Sequence, residues 1–249
     1  MQPLNPAQKK ESPLVSLIIN VVLPYLILTK AGAYLGDQGA TWALLIGISL
    51  PVIYGVHFYI TSNSVNYISV FGVISTLFSG VFAILQLDKN WFVFKEAAFP
   101  FILGVLVLYT SYQKKPCFQY MLDFSHLMDR PLIEAKLTER SAEADYDRLI
   151  NRLNILFASS FFLSSLMNLL LALWIFQRID PELPQQAFAA ALNEQIADMT
   201  WMGFVLIGLP MSVFTMVIFY QLIKGLARLT GLTSEEFLLT TRESRSPTQ

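Results

Sequence analysis

Charge is scarce in this chain: Asp, Glu, Lys and Arg make up 14% of its 249 residues, against about 25% in soluble domains. Set beside 54% hydrophobic residues and a mean hydropathy of +0.51, that shortage makes lipid the expected solvent. A net charge of −1 supplies no basic field, which argues against a nucleic-acid binder. The single cysteine, Cys117, has no partner for an internal disulfide. Two histidines far apart in the chain argue against a dedicated zinc site, and no cofactor is expected. A small-residue cleavage site is also lacking behind the polar start "MQPLNPAQKKESP". The first apolar run is therefore expected to remain as a membrane helix.

What the chain does have is long apolar runs. A bilayer core of about 30 Å calls for roughly 20 apolar residues per helix. Six stretches meet this, at 13–30, 41–60, 66–87, 91–112, 155–177 and 201–223. The expected fold is all-α, one polytopic domain over 1–249 with six transmembrane helices. Amphipathic helices are expected in the polar connections 113–154 and 178–200. With six spans, both termini and the 113–154 loop share one side, and that side holds thirteen of the 17 Lys and Arg residues. The positive-inside rule then puts both termini in the cytoplasm of a bacterial inner membrane. Trp42, Trp91, Trp174 and Trp201 all fall at the opposite ends of their spans, as an interfacial belt does.

The 113–154 loop carries seven basic and seven acidic residues, so it is not a polybasic lipid-binding tract. Asp129 is placed to cap a helix with Pro131 in its first turn and Leu132, Ile133 and Leu137 on its apolar side. Tyr146, Leu149, Ile150 and Leu153 recur at helical spacing and run into the fifth span. The loop serves as a solvated connector or as a docking surface. Phe188, Leu192, Ile196 and Met199 give the outer connection one apolar face, which caps the bundle or rests on lipid. Thr233 and Glu236 have the spacing of a capping box.

Polar groups within spans turn toward neighbouring helices or a cavity, because hydrocarbon offers them no partner. Ser16, Asn20 and Pro24 form one stripe in the first span, and Ser160, Ser164, Asn168 and Ala172 another in the fifth. Gly72, Thr76 and Gly80, flanked by Ser75, Ser79 and Ala83, make a close-packing face on the third; the sixth has Gly208 and Ser212. Pro24, Pro51, Pro100 and Pro210 each remove a backbone hydrogen bond inside a span.

The exception to the apolar pattern is "DKNWFVFKEAAFP", residues 88–100. The apolar stretch after Glu96 is too short to span, so the fourth helix must begin near Trp91 and include both charges. Lys95 then lies about 6 Å in from Trp91, shallow enough for its stem to reach back to the interface. Glu96 has no such reach. Its partner is Lys95, Lys89, the amide of Asn20 or Asn168, or else the carboxyl takes a proton. Because adjacent helical residues diverge by about 100°, Lys95 and Glu96 are expected to meet different neighbours. Asp88, Lys95, Glu96, Asn20 and Asn168 together form the candidate intramembrane polar site. The alternative is a simple interfacial anchor. No Ser-His-Asp set, metal cluster or phosphate-binding glycine loop is present to suggest catalysis, and no catalytic residue is assigned.

The segment "SGVFAILQLDKNWFVFKEAAFP" resembles the bacterial intracellular septation protein A family at Gly80, Asp88, Trp91, Phe92, Phe94 and Lys95. "DYDRLINRLNILFASSFFLSSLMNLLLALWIF" is similar to a later segment of that family at Arg152, Leu153, Asn154, Phe161, Phe162 and Asn168. The likeness covers about residues 40–176. Glu96 stands where that family tends to have proline, and the 113–154 loop is long, which points to a distinct branch. The resemblance implies a non-enzymatic inner-membrane protein that supports envelope maintenance or septation through membrane partners. Those partners would be lipids, other inner-membrane or division proteins, or a second copy of the chain. The other expectation, from the residues themselves, is a small transporter or lipid-handling protein using Lys95 and Glu96.

Overall fold

Proline decides where the helices change pitch. A computed structural model describes residues 15, 17–62, 77–85, 87–113, 115–125 and 127–238, and among them there is no strand longer than one isolated bridge. The chain opens with a π-helical turn, Ile18–Val22, that continues as α1, Leu23–Lys30, with Pro24 in its first turn. A second π turn, Phe204–Gly208, joins α8 (Gln185–Gly203) to α9 (Leu209–Thr230), whose second residue is Pro210. Proline has no N–H, and its ring presses on the carbonyl four residues back. A widened π turn gives that carbonyl room beside the ring. Pro51 and Pro100 lie inside α2 (Gly39–Ser62) and α4 (Lys89–Thr110). Between these two helices residues 77–84 are helical (α3).

Among the described residues four helices are long and apolar enough to cross a membrane: Gly36–His57, Lys89–Thr110, Glu143–Ile175 and Gln185–Thr230. Ile18–Tyr34 is apolar but shorter. Most of the expected 66–87 span, with Gly72, Ser75 and Thr76, lies outside the described residues, as does Ser16. The outer surfaces of the four long helices are apolar, with Ile53, Leu106, Leu170, Val213 and Met216 exposed. Trp42, Trp91, Trp174 and Trp201 are exposed as well.

The outer connection departs from expectation. It is not a separate surface helix followed by a span, because helix runs unbroken from Gln185 to Thr230 over 46 residues. No helix breaker separates residues 185 and 203, and the π turn absorbs Pro210.

Residues 1–96 and 168–208 form one compact unit. In it α8 packs on α1 and α2 and buries Leu192, Ile196 and Met199. Asn193 donates its amide to Ala40 O at 2.7 Å, and Gln186 donates to Gly36 O at 3.2 Å. These bonds hold the tight connection of 3-10 turns, Ala31–Tyr34 and Gly36–Gln38, between α1 and α2. Gly39 opens α2 directly against the backbone of Gly32, whose carbonyl oxygen occupies the place a Cβ would take. Backbone cannot rotate away as a side chain can. Gly39→Ala is therefore expected to destabilise by about 1–3 kcal/mol, seen as a lower melting midpoint in detergent; an unchanged midpoint would refute the close approach. Gly80 on α3 packs similarly against Ile48 of α2, as the small-residue face implies.

The other unit comprises 97–167 and 209–249. Its core gathers Phe118 and Leu122 from α5 (Cys117–Ser125), Ile133 and Leu137 from α6 (Arg130–Glu139), and Ile150 and Leu153 from α7 (Glu143–Ile175). Ile218, Leu222 and Leu226 of α9 join them, with Phe237 of α10 (Ser234–Phe237). The expected caps are present. Asp129 accepts from Leu132 N–H at 3.2 Å, and Thr233 and Glu236 form a capping box. Asp129 N–H donates to Phe237 O at 2.8 Å, tying α10 back to the start of α6. Arg130 joins three helices, pairing with Asp123 at 3.1 Å and Glu134 at 3.2 Å and donating to the Tyr146 hydroxyl.

Asn154, fully buried on α7, joins three stretches of chain in the same unit. It accepts from Phe118 N–H at 3.0 Å and donates to Val107 O at 2.9 Å, Thr110 Oγ1 at 3.2 Å and Ser111 Oγ at 2.7 Å. Cys117 sits beside this network, and burial pushes its thiol pKa up. A raised pKa leaves less thiolate at neutral pH. Alkylation of the native protein is expected to be several-fold slower than that of an unperturbed thiol. The rate should climb about tenfold per pH unit through the range where an ordinary thiol has already levelled off. A plateau at ordinary thiol pH would contradict this.

Candidate functional site

Lys95 and Glu96 stand in the second turn of α4. The helix starts where Asp88 Oδ1 accepts the N–H of Asn90 at 2.9 Å, which satisfies one of its orphan donors. Trp91 and Phe94 point outward, while Phe92 and Lys95 turn inward. Phe92 stacks on Phe176, with ring centroids 5.0 Å apart, and meets Phe82 of α3 edge-on at 5.7 Å.

Lys95 does not reach back to the interface. Its side chain is only 4% exposed, and its ammonium pairs with Glu96 Oε1 at 2.6 Å and donates to Ser79 Oγ at 2.6 Å. The expectation that these neighbours would find different partners is also overturned. Their Cβ atoms diverge, but the lysine's four-carbon stem is long enough to curl around the helix to the carboxylate. Packing from α3 supplies the reason: Ser79 offers a hydrogen bond on the inward side that outweighs a route along the aromatic surface. Glu96 is 18% exposed.

That exposed portion faces a cavity of about 250 Å³, whose walls include Asn20, Ser79, Lys95, Glu96, Thr200 and Phe176. Thr200 donates its hydroxyl to Ile196 O at 2.9 Å within its own helix. Pro24 and Pro51 line the same space, as does Gly47. Pro24 has no N–H to give the carbonyl of Asn20, and Pro51 none for that of Gly47. Prolines from two helices thus border the same polar cavity.

Asn20, Lys95 and Glu96 are therefore brought together. Asp88 is not with them; it lines a second, larger pocket of about 550 Å³ with Lys89 and Arg178. Asn168 lies on α7 and is not among the described residues lining either space. Ser79 had been noted only for packing and Pro51 only as a proline inside a span, and Thr200 and Phe176 carried no signal, since single residues from separate helices have no shared spacing. Phe176 sits just past the end of α7. Gln177 caps that end by donating to Leu173 O at 3.0 Å and Trp174 O at 2.7 Å, and its own carbonyl accepts from Gln195 at 3.3 Å.

Among the described residues no group of three His, Cys, Asp or Glu side chains would hold a metal ion. The cavity wall presents one ammonium, one carboxylate, an amide and two hydroxyls in an apolar surround. Comparison with family models, curated proteins and solved structures finds no match for the chain.

Proposed function

We propose that the protein is a six-span bacterial inner-membrane protein with cytoplasmic termini, and that it works as a small transporter or lipid-handling protein through the Lys95–Glu96 cavity. One observation carries this reading: a buried ion pair forms the wall of a cavity also lined by Asn20, Ser79 and Thr200. Ionisable groups within spans are expensive and mark substrate or ion sites by default. An interfacial anchor would place its ammonium at the surface instead. Purified protein in liposomes is expected to move a solute or lipid, and the Glu96→Gln form is not. Equal movement by both would remove the cavity from the mechanism.

The topology is tested separately. A reporter active only outside the cytoplasm is expected to be silent after residue 140 and active after residue 190, and the reverse would sink the six-span arrangement.

The second reading is non-enzymatic support of envelope maintenance or septation through membrane lipids, division proteins or a second copy. It draws on the septation protein A-like segments and on the well-packed helices α5, α6 and α10, which offer a firm surface beyond the apolar spans. Lipid and envelope-precursor profiles of cells lacking the protein discriminate the two. If the form carrying Lys95→Met and Glu96→Gln together restores those profiles at full abundance, the partner reading stands and the cavity reading falls.

A further inference from the structure

We propose that the Lys95–Glu96 cavity takes a small zwitterion, with one ammonium and one carboxylate or phosphate on a compact body, and that this ligand enters from the larger pocket past Phe176. The inference rests on reading the cavity as a binding site and names what it binds.

Charge balance supplies the class. The cavity wall holds one ammonium and one carboxylate, already paired at 2.6 Å. A ligand of single charge would break that pair and leave a net charge in a low-dielectric site. A zwitterion does not. Its ammonium pairs with Glu96, its anion with Lys95, and the site stays neutral while one internal ion pair is exchanged for two intermolecular ones. Asn20 and Ser79 add polar groups to the same wall, and Leu28, Ile48 and Met199 accommodate a short apolar portion. A volume of about 250 Å³ limits the body to a small molecule or one headgroup.

The route follows from one ring. Phe176 is 2% exposed and lines both the inner cavity and the larger pocket. Phe92, stacked on it, lines the larger pocket and lies one helical turn before Lys95 and Glu96. The larger pocket carries charges of both signs, Asp88 with Lys89 and Arg178, and in the proposed topology it opens on the outer side. Phe176 lies just past the end of α7, with its N–H bonded to Ala172 O at 2.8 Å.

The test uses the full chain purified in detergent with Cys117→Ala and a reporter at Thr200→Cys, a position on the cavity wall whose hydroxyl bonds only locally. A sulfonated maleimide is expected to label Cys-bearing protein slowly, and at least tenfold faster when Phe176→Ala is added. Saturating alanine or glycerophosphoethanolamine should slow labelling about tenfold, while acetate or ethylamine at the same concentration changes it less than twofold. Short-chain phosphatidylethanolamine, with short-chain phosphatidylglycerol as control, forms the lipid arm. Protection by the free zwitterions alone assigns a soluble solute, and protection by the lipid alone assigns a membrane headgroup. Protection by acetate or ethylamine equal to that of the zwitterions overturns the ligand class, as does no protection by any compound. Labelling no faster with Phe176→Ala overturns the route. The unaltered protein provides a second measurement: its melting midpoint should rise with the zwitterions and not with acetate or ethylamine. Protection without movement in liposomes would retain the zwitterion site and refute transport, so the two failures are distinct.

Discussion

Glu96→Ala is expected to lower the stability of the protein by about 3–5 kcal/mol, the loss found when one partner of a buried ion pair is removed. The ammonium of Lys95 would remain 4% exposed with Ser79 as a neutral neighbour. The size of the effect comes from the charge left behind more than from the strength of the lost pair. A double substitution separates these. Lys95→Met combined with Glu96→Gln removes both charges and retains most of the volume, and replacing a buried pair by uncharged groups is often neutral or stabilising. The double form should therefore be more stable than Glu96→Ala by most of that loss, with melting midpoints in detergent as the measurement. If the double form is as unstable as the single, the pair is itself a major source of stability. If Glu96→Ala melts with the native protein, the ammonium is not buried as described. A stable double form that has lost activity makes the pair functional, because its removal then leaves the fold intact.

Asn154→Ala should cost about 3 kcal/mol or more. One buried side chain satisfies Phe118 N–H, Val107 O and the hydroxyls of Thr110 and Ser111. Each buried polar group left without a partner costs about 1–3 kcal/mol. Partial replacement by the two hydroxyls keeps the total below a simple sum. For a chain of this length, 1 kcal/mol shifts a melting midpoint by about 2–4 °C, so a fall of roughly 6–12 °C is the expected reading. Asn154→Leu, which restores volume but no hydrogen bonds, should fall nearly as far, and this contrast distinguishes polar satisfaction from packing. Asn154→Asp keeps the acceptor for Phe118 N–H and loses the amide donors, so it should also be destabilised. Recovery of the native midpoint by Leu would show that cavity filling, not hydrogen bonding, holds α5 to α7.

The local features were legible in the residues because their causes are local. Asp129 with Pro131, and Thr233 with Glu236, mark helix starts through contacts within one turn, and both caps form as their spacing implies. Tyr146, Ile150 and Leu153 are buried for the same reason: a 3.6-residue period puts them on one face wherever that face packs. Asn154 stood in the sequence only as part of a family likeness. Its partners lie 36 to 47 residues away, and no spacing rule reaches that far. That helix continues through residue 200 was not legible in the residues, because polarity separates water from lipid and does not say where a helix ends.

The sequence alone determined where the long apolar runs lie and how little charge they carry, because hydropathy is a sum over neighbouring residues. Only the tertiary structure decided that Lys95 turns inward to Glu96 and Ser79 rather than outward to the interface. Both routes are open to a flexible four-carbon stem, and the choice depends on which helix stands opposite. The same holds for Phe176. Its place between two cavities comes from α4, α7 and α8 meeting at one ring, a relation that no single stretch of the chain contains.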